Sequence, residues 1–461
     1  MLKARLDDFF KKLFLNNDKL LQLEKKYCSP LNVLFPNNFC KNIDRFKSVL
    51  DKYDLRYEIF YAHKSNKSKV FLKNAYKYGI GIDVASIHEL NNAIDVGFSN
   101  SKIEATGPKS RIFLEKLLIE NVLINIDSFS ELDEILSIKK EKNIIEKTCI
   151  IIRISGFTNS KISRFGIELS KTKLLLEFVV NNRDNFNLEG FSFHIDSVSS
   201  IEKASALEEI FLLQNDFSRA GFFTRKINIG GGFRLSYIED SGAWEKYYEL
   251  LKKELVDENL LMTWKKSSYG FNIVNDKVIG ESNIYLPYSK NTSELFLEEI
   301  LNYELKNFGN IKICEYLKDN LIKLQIEPGR SLHDLTGFTL SKVIGVKEMS
   351  GENLIILDIN SFSIGSREQE LFVDPIIISK DKKVTTNSGV FFTGNLCLES
   401  DFVYRHKSFL GIIPQVGDLV IFPNTSGYFM DFYENTAILQ EVAKKIVIDE
   451  NYNTILEDNY I

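Results

Sequence analysis

One lysine stands where a buried strand is expected to end. Residues 58–62, EIFYA, are mostly apolar or aromatic and predict a buried strand, and His63 and Lys64 follow directly. Desolvation at a strand end can lower the pKa of a lysine, and a neutral amine is a nucleophile toward an aldehyde or ketone. The sequence therefore predicts Schiff-base chemistry at Lys64, unless this lysine simply caps the strand and reaches solvent.

A second group of residues has the chemistry of a phosphate site. The three glycines at 230–232 allow backbone N–H groups to approach an anion closely, and Arg330 offers a guanidinium group with several donors. Three glycines alone predict no more than a tight turn. Together with Arg330 they favour a phosphate-binding site.

The elements that must position these residues form a regular alternation. Short β-rich apolar runs occur at 59–62, 80–82, 103–105, 122–126, 149–154, 190–193, 227–229 and 321–326. Each run is followed by a polar or glycine cluster and then by an amphipathic helical pattern. Strands that alternate with helices pair in parallel, and eight such units predict a (β/α)8 TIM barrel with its active site at the C-terminal strand ends.

The predicted barrel places several polar clusters on one rim. Lys64, His194, the glycines at 230–232, Glu327 and Arg330 all follow predicted strands, and barrels commonly bind phosphate after the seventh and eighth strands. An amine, a phosphate cradle, an imidazole for a ring face and a carboxylate for a ring nitrogen are what pyridoxal phosphate requires. The rim therefore predicts a pyridoxal-phosphate site.

Two regions depart from the alternation. Residues 238–320, which contain Trp244 and Trp264, predict a helix and an inserted hairpin or lid between the seventh and eighth strands. Beyond residue 335 the strands predicted at 338–346, 354–357, 375–379, 390–392, 418–422, 436–442 and 445–448 indicate a C-terminal β-barrel or β-sandwich, which a strand at 31–35 joins. We expect residues 1–40 to contribute a helix and this strand, 41–335 to form the barrel with its insert, and 336–461 to form the β domain.

Composition restricts the partners. A net charge of -5 without an unbalanced basic block disfavours nucleic acid and anionic membranes. The five cysteines lack the paired spacing of a disulfide framework or a zinc site, so no metal is expected. Neither a signal peptide nor a membrane span is predicted. We expect a cytoplasmic protein that binds small molecules.

Eight segments resemble the ornithine/diaminopimelate/arginine decarboxylases, which are fold-type III pyridoxal-phosphate enzymes with an alanine-racemase-like barrel. The segments are YAHKSN at 61–66, GIDVAS at 81–86, SRFG at 163–166, FHIDS at 193–197, GGGF at 230–233, EPGR at 327–330, GNLC at 394–397 with Asp401, and SGY at 426–428. They occur in the order of that family, between about residues 30 and 440. The resemblance implies a pyridoxal-phosphate-dependent amino-acid decarboxylase, a carboxy-lyase of amino-acid metabolism.

The resemblance also implies roles for individual residues. Lys64 would be the internal aldimine lysine, His194 would stack on the pyridine ring and Glu327 would pair with the ring nitrogen. The phosphate would be bound by Ser197, Gly231, Gly232, Arg330 and Tyr428, and the remaining cofactor-binding positions are Asp83, Arg164 and Gly329.

Glu327 favours one chemistry over another. A carboxylate keeps the ring nitrogen protonated and makes the ring a strong electron sink, which favours loss of CO2 through a quinonoid, whereas alanine racemases of similar fold place an arginine there. The alternatives to a decarboxylase are a racemase or epimerase and a non-catalytic regulatory homologue.

Cys397 matches a catalytic cysteine that the other subunit contributes in this family, where it takes part in protonating Cα. The resemblance therefore implies a head-to-tail homodimer with shared active sites, in which Cys397 and Asp401 complete the site of the partner.

The acidic residues Asp358, Glu399 and Asp401 are the predicted substrate contacts. Asp358 and Asp401 resemble residues that recognise a distal ammonium group, which suggests lysine, ornithine, arginine, diaminopimelate or a conjugated diamino acid. The chain departs from the family pattern at three places: Asp196 replaces a usual glycine, Leu398 replaces a glutamate, and residues 366–368 lack an arginine-proline-aromatic motif. The last two departures argue against diaminopimelate as the substrate. The first two leave open whether activity is altered. The sequence does not identify the substrate, and the insert could shape a site for a larger amino acid.

Overall fold

Eight parallel strands close into a barrel in the computed structural model of the chain, which describes residues 1–158, 160–196, 199–365, 370–379 and 389–459. The strands are Tyr57–Ala62, Gly81–Val84, Ile103–Ala105, Leu123–Ile126, Thr148–Ser155, Phe186–Ser192, Lys226–Asn228 and Lys323–Ile326. Each pairs with the next in sequence, and the eighth pairs with the first. The predicted barrel is confirmed, although its sixth strand begins earlier than predicted, at Phe186.

Helices surround the barrel and connect its strands. They are Pro36–Lys52, Lys69–Lys77, Ile87–Val96, Arg111–Ile119, Phe129–Lys142, Thr172–Asn181, Ser200–Arg219, Ser293–Leu301 and Ile313–Asp319. Ser86, Ser110 and Ser128 each cap a helix by accepting the N–H group of the residue three positions later. These helices therefore begin close to the strand ends, and the strand-end residues stay on the rim.

The inside of the barrel is partly polar. Apolar side chains such as Ile82, Ile124 and Phe191 belong to the large core of buried residues that the strands share with the helices. Glu104 is also buried, and it accepts hydrogen bonds from the buried amides of Asn125, Asn228 and Gln325. The barrel thus encloses a polar network.

The C-terminal domain is a β-sheet that the N-terminal strand completes. Its strands are Leu31–Leu34, Gly337–Met349, Glu352–Leu357, Ile376–Ile378, Val390–Thr393, Phe402–Ser408, Leu419–Pro423, Lys444–Ile448 and Thr454–Leu456. The strand Leu31–Leu34 pairs antiparallel with residues 337–340 and parallel with residues 444–447. The helices Asp8–Leu15 and Asn17–Tyr27 contribute Phe10 and Leu20 to the core of this sheet. The prediction that the early strand joins the β domain is confirmed.

One predicted strand of this domain is wrong. Residues 437–439 form a short 3-10 turn, and Ile438 and Leu439 have φ angles of 49° and 61°. Both side chains are exposed. A left-handed backbone at two consecutive residues is incompatible with a β-strand.

The insert contains the predicted helix and hairpin. The helix Ser241–Glu254 is followed by a hairpin in which Asn272–Val274 pairs with Lys277–Ile279. The insert packs against the β domain, where Trp244 and Phe372 have ring centroids 5.4 Å apart and Thr263 bridges to His406.

The described part of the chain lacks two kinds of feature. No helix there is long and apolar enough to cross a bilayer. Nowhere in the same residues do three or more His, Cys, Asp or Glu side chains gather in a way that could hold a metal ion.

Candidate active site

A cavity of about 240 Å³ opens where the C-terminal strand ends of the barrel meet the β domain. It is lined by Ala62, Lys64, His194, Asp196, Gly231, Gly232, Phe233, Tyr285, Glu327, Gly329, Arg330, Ser331, Gly365, Tyr428, Phe429, Phe432 and Tyr433. Residues that the sequence places more than 360 positions apart thus face one space. Lys64, His194, Gly231, Glu327 and Arg330 are all brought together, as the sequence predicts.

Lys64 lies on a 3-10 turn, His63–Ser65, directly after the first barrel strand. The turn is fixed because Ser65 Oγ donates to the carbonyl of Ala62 at 2.7 Å and the N–H of Tyr428 donates to the carbonyl of Ser65 at 2.8 Å. The β domain therefore contacts the lysine turn directly.

The electrostatics of Lys64 differ from the sequence-based expectation. Burial lowers the pKa of the ammonium group, but the acidic groups of Tyr428, Asp83 and Glu327 outweigh burial and raise this pKa above its ordinary value. The expectation of a lowered pKa is wrong, because a local sequence cannot reveal the acids that the barrel brings around the amine.

The glycine turn approaches its neighbours so closely that side chains would not fit. Gly230 and Gly232 have φ angles of 65° and 78°. A Cβ atom on Gly231 would lie 2.5 Å from the carbonyl oxygen of Glu327, and one on Gly232 would lie 2.8 Å from that of Ile195. Glycine is therefore required for this close approach.

His194 is oriented by the same turn. The N–H group of Gly231 donates to His194 Nδ1 at 3.1 Å, which places the proton of a neutral ring on Nε2. Burial, together with the positive charges of Lys64 and Lys203, holds the pKa of His194 well below its ordinary value. The cavity thus contains a neutral imidazole with a defined tautomer.

Lys203 is a buried residue that the sequence analysis did not select. Its Nζ atom donates to the carbonyl oxygens of Ile229 at 2.9 Å and Gly231 at 2.6 Å. Burial lowers the pKa of this lysine to about 8. Lys203 therefore supports the glycine turn from the side of the helix Ser200–Arg219.

Arg330 lies among aromatic rings at the other side of the cavity. Its Nη1 atom donates to the hydroxyl of Tyr237 at 3.1 Å, and its guanidinium carbon lies 4.3 Å from the ring centroid of Tyr285. Arg234 lies 4.4 Å from the same ring, so Tyr285 from the insert contacts two guanidinium groups. The insert thereby contributes to the cavity through Tyr285, another residue that the sequence did not single out.

Three buried carboxyl groups lie close to Lys64 or to one another. Asp83 accepts a hydrogen bond from Thr106 Oγ1 at 2.7 Å, and Glu327 accepts one from Asn228 Nδ2 at 2.5 Å. Burial raises the pKa of Asp83, and burial with the charges of Asp83 and Glu104 raises the pKa of Glu327 well above its ordinary value. Burial and mutual repulsion therefore favour the protonated forms of these carboxyl groups.

The structure does not bring every predicted cofactor residue to the cavity. Arg164 is exposed and stacks on Phe165 at 3.9 Å, outside the cavity lining. Arg153, in the fifth strand, is more enclosed. Burial lowers its pKa, and the charges of Asp127, Glu327 and Asp83 partly offset this effect. Arg153 is therefore the arginine of this region that lies near the site. Ser197 lies outside the described residues.

The predicted substrate residues lie together on the β domain and outside this cavity. Cys397 and Glu399 are exposed on the loop after the strand Val390–Thr393, and Asp358 is half-buried beneath it, where burial raises its pKa. Asp401 is buried, and its two carboxylate oxygens accept the N–H groups of Ser361 and Leu396, each at 2.8 Å. Asp401 therefore organises the loop, and its carboxylate is not directed at the cavity of its own chain.

The cavity fits pyridoxal phosphate by the chemistry of its donors. It contains an amine, a guanidinium group and a buried carboxyl group, and a glycine turn beside a neutral imidazole. Gly231, Gly232 and Gly329, which line the cavity, lie so close to neighbouring segments that Cβ atoms there would lie 2.5 to 3.0 Å from protein atoms. Lys64, Arg330, Glu327 and His194 are the residues that could hold this cofactor.

Sequence comparison identifies related proteins. Residues 38–262 match the sequence model described as "Pyridoxal-dependent decarboxylase, pyridoxal binding domain". An uncharacterized protein of Sinorhizobium fredii is 28% identical over 89% of this chain and 85% of its own length. A diaminopimelate decarboxylase of Bacillus methanolicus is 29% identical over 48% of this chain, and the match spans 54% of that relative.

Structural comparison identifies proteins of the same fold. Diaminopimelate decarboxylase of M. jannaschii, in co-complex with L-lysine, has a TM-score of 0.73 and 19% identity, covering 95% of this chain and 91% of that one. The arginine decarboxylase of Paramecium bursaria Chlorella virus has a TM-score of 0.68 and 19% identity, covering 94% and 100%.

Proposed function

The chain belongs to the ornithine/diaminopimelate/arginine family of fold-type III pyridoxal-phosphate-dependent decarboxylases, and we propose that it decarboxylates an amino acid with a distal amine or other polar group. One observation carries this proposal. Lys64, Glu327 and Arg330 line a single cavity of about 240 Å³ at the catalytic rim of the barrel.

Pyridoxal phosphate, when bound, supplies an aldehyde and an electron-accepting ring for the electron pair that remains when CO2 leaves. We assign Lys64 to the aldehyde, Glu327 to the ring nitrogen and Arg330 to the phosphate. Gly231, Gly232 and Gly329 line the same cavity, and Tyr428 lines it from the β domain.

The charges of the site support these assignments. Before the cofactor binds, the charges of Asp83 and Glu327 favour the protonated form of the Lys64 amine, and burial raises the pKa of Asp83. A neutral His194 can stack on a ring without repelling a cation on that ring. Because Arg330 is half-buried among aromatic rings, water screens its charge less than it would at the surface.

We also propose a homodimer with shared active sites. The loop with Cys397 and Glu399 is exposed and held in shape by Asp401, which suits a loop that enters the cavity of a second subunit. In this arrangement Cys397 protonates Cα, and Glu399 with Asp358 provides negative charge for a distal ammonium group.

The proposed substrate class rests on these acids and on the relatives. Curated relatives include diaminopimelate, arginine and ornithine decarboxylases. All three act on amino acids with a distal nitrogen, and Asp358 and Glu399 supply the complementary charge.

Two measurements test the proposal. The purified protein with pyridoxal phosphate should show a visible absorption band that Lys64→Ala abolishes and Lys69→Ala, a change to an exposed neighbouring lysine, retains. CO2 release from lysine, ornithine, arginine, diaminopimelate and conjugated diamino acids should identify the substrate. Racemisation or epimerisation without CO2 release would instead favour the racemase alternative.

A further inference from the structure

A third carboxyl group, which these assignments leave without a role, lies inside the barrel. Glu104 is fully buried in the third strand, Ile103–Ala105. Its Oε1 atom accepts hydrogen bonds from Asn125 Nδ2 at 2.7 Å and Asn228 Nδ2 at 3.0 Å, and its Oε2 atom accepts one from Gln325 Nε2. Three different strands therefore direct N–H donors at one carboxyl group, and these hydrogen bonds partly offset the rise in its pKa that burial and the charge of Asp83 cause.

Asn228 connects this carboxylate to the active site. Its Nδ2 group donates to Glu327 Oε1 as well as to Glu104 Oε1. Its Oδ1 atom accepts the backbone N–H group of Gly230 at 2.8 Å. Because a backbone N–H group can only donate, the amide cannot be turned around, and its two N–H bonds must face the two carboxyl groups.

The surrounding charges make the two carboxyl groups sensitive to each other. The charge of Asp83, in the second strand, raises the pKa of both groups. The charge of Lys226, in the seventh strand, lowers the pKa of Glu104, and the charge of Lys64 lowers that of Glu327. Burial and the charge of Asp83 raise the pKa of Glu104 to about 7. Glu104 is in turn one of the groups that raise the pKa of Glu327.

We propose that Glu104 is a positioning residue that fixes Glu327 through Asn228 and adds a second buried negative charge beneath the site of the cofactor ring. This inference rests on the assignment of Glu327 to the ring nitrogen. The additional negative charge favours a proton on that nitrogen, which is the state that best accepts the electron pair of the broken C–C bond. The network thus sets the electronics of the reaction without touching the substrate.

Glu104→Gln tests the charge directly, because glutamine has the size and hydrogen-bonding groups of a protonated glutamic acid. The holoenzyme is reconstituted with pyridoxal phosphate labelled with 15N in the ring, and the 15N chemical shift is followed against pH. We expect the pH at which the ring nitrogen loses its proton to fall by about one unit, as for removal of a nearby charge of opposite sign. Glu104→Asp, which retains the charge, should stay closer to the wild type.

Gln325→Leu provides a second route if Glu104→Gln fails to fold. Gln325 Oε1 is buried without a hydrogen-bond partner, so leucine removes an unsatisfied group together with one donor to Glu104. The expected shift has the same direction and is smaller. Glu254→Gln is the matched control, because Glu254 is a buried carboxyl group that accepts from Met262 and Thr263 and does not line the cavity.

The outcomes separate this inference from the proposed function. A wild-type protein that binds pyridoxal phosphate through Lys64, with a ring nitrogen that titrates identically in Glu104→Gln and Gln325→Leu, would overturn the inference alone. A wild-type protein that binds no pyridoxal phosphate would overturn both.

Discussion

The ammonium nitrogen of Lys203 lies 2.6 Å from the carbonyl oxygen of Gly231, and the N–H group of Gly231 in turn donates to His194. One buried lysine thus holds the residue that fixes the imidazole of the active site. Because Lys203 also donates to Ile229 O, it supports the glycine turn at two points. The turn is therefore supported by a titratable group rather than by packing alone.

Lys203→Met should weaken cofactor binding and change the pH dependence of stability. The pKa of Lys203 is about 8 in the folded chain and 10.5 ordinarily, so between these pH values only the unfolded chain holds the proton. Wild-type stability relative to Lys203→Met should therefore rise between pH 8 and 10.5, by roughly 3 kcal/mol for a difference of this size. Denaturant unfolding at several pH values measures this, and a constant difference between the two proteins would contradict it.

Tyr285→Leu should weaken pyridoxal-phosphate binding by about fivefold to thirtyfold. The substitution removes the ring that contacts both Arg234 and Arg330, and each cation–π contact contributes on the order of 0.5 to 1 kcal/mol. Tyr285→Phe retains the ring and serves as the matched control. Titration of the apoprotein with cofactor measures both variants, and equal losses in both would show that the hydroxyl, rather than the ring, is what matters.

Glu370→Gln should weaken the attachment of the insert to the β domain and lower the stability of the protein. Buried Glu370 accepts from Tyr269 Oη in the insert at 2.9 Å and from Arg405 Nε and His406 Nδ1 of the sheet at 3.0 and 2.6 Å. Breaking a buried charge network of this kind costs about 3 to 5 kcal/mol, and thermal unfolding at neutral pH measures the loss.

The pH dependence of the stability lost in Glu370→Gln tests whether the charge of Glu370 is responsible. Burial raises the pKa of this carboxyl group, but His406 and Arg405 outweigh burial and lower it. The stabilisation is therefore present above the ordinary carboxyl pKa of 4.5 and is lost as the pH falls below it. A variant whose deficit persists undiminished in acid would contradict the ionic role.

Mixed dimers test the shared active site. Lys64→Ala and Cys397→Ala should each lose most decarboxylase activity, because the proposed site combines Lys64 of one subunit with Cys397 of the other. Subunit exchange between them should restore about a quarter of the wild-type activity, since half of the dimers then carry one intact site. A mixture that stays as inactive as its components, although exchange is demonstrated by mass, would contradict the arrangement.

The sequence predicts the barrel because its strands are short apolar runs, and the rim because polar residues follow those runs. The sequence analysis does not identify the polar network inside the barrel, although the strand sequences contain an indication of it. Glu104 is the single polar residue of Ile103–Ala105, Asn228 ends Lys226–Asn228, and Gln325 lies within Lys323–Ile326. Polar residues within apolar runs of a barrel indicate an interior network, because the outward positions pack against helices.

The remaining differences between the sequence analysis and the structure have local causes. The strand Phe402–Ser408 was not predicted because its buried positions include His406 and Ser408, which are polar residues that break the apolar alternation. Arg164 was selected by motif, whereas Arg153 lies among isoleucines where the motif gave no indication. The sequence also does not show that Asp401 accepts the backbone N–H groups of Ser361 and Leu396.

Reductive trapping shows directly whether the cofactor is attached to Lys64. The holoenzyme is treated with borohydride, which fixes the cofactor to the amine that holds it, and the digested protein is mapped by mass spectrometry. We predict that the pyridoxyl group is found on the peptide containing Lys64 and is absent from that containing Lys203, the other buried lysine near the glycine turn. A pyridoxyl group on any other lysine, or an unmodified Lys64 in protein that binds the cofactor, would contradict the account.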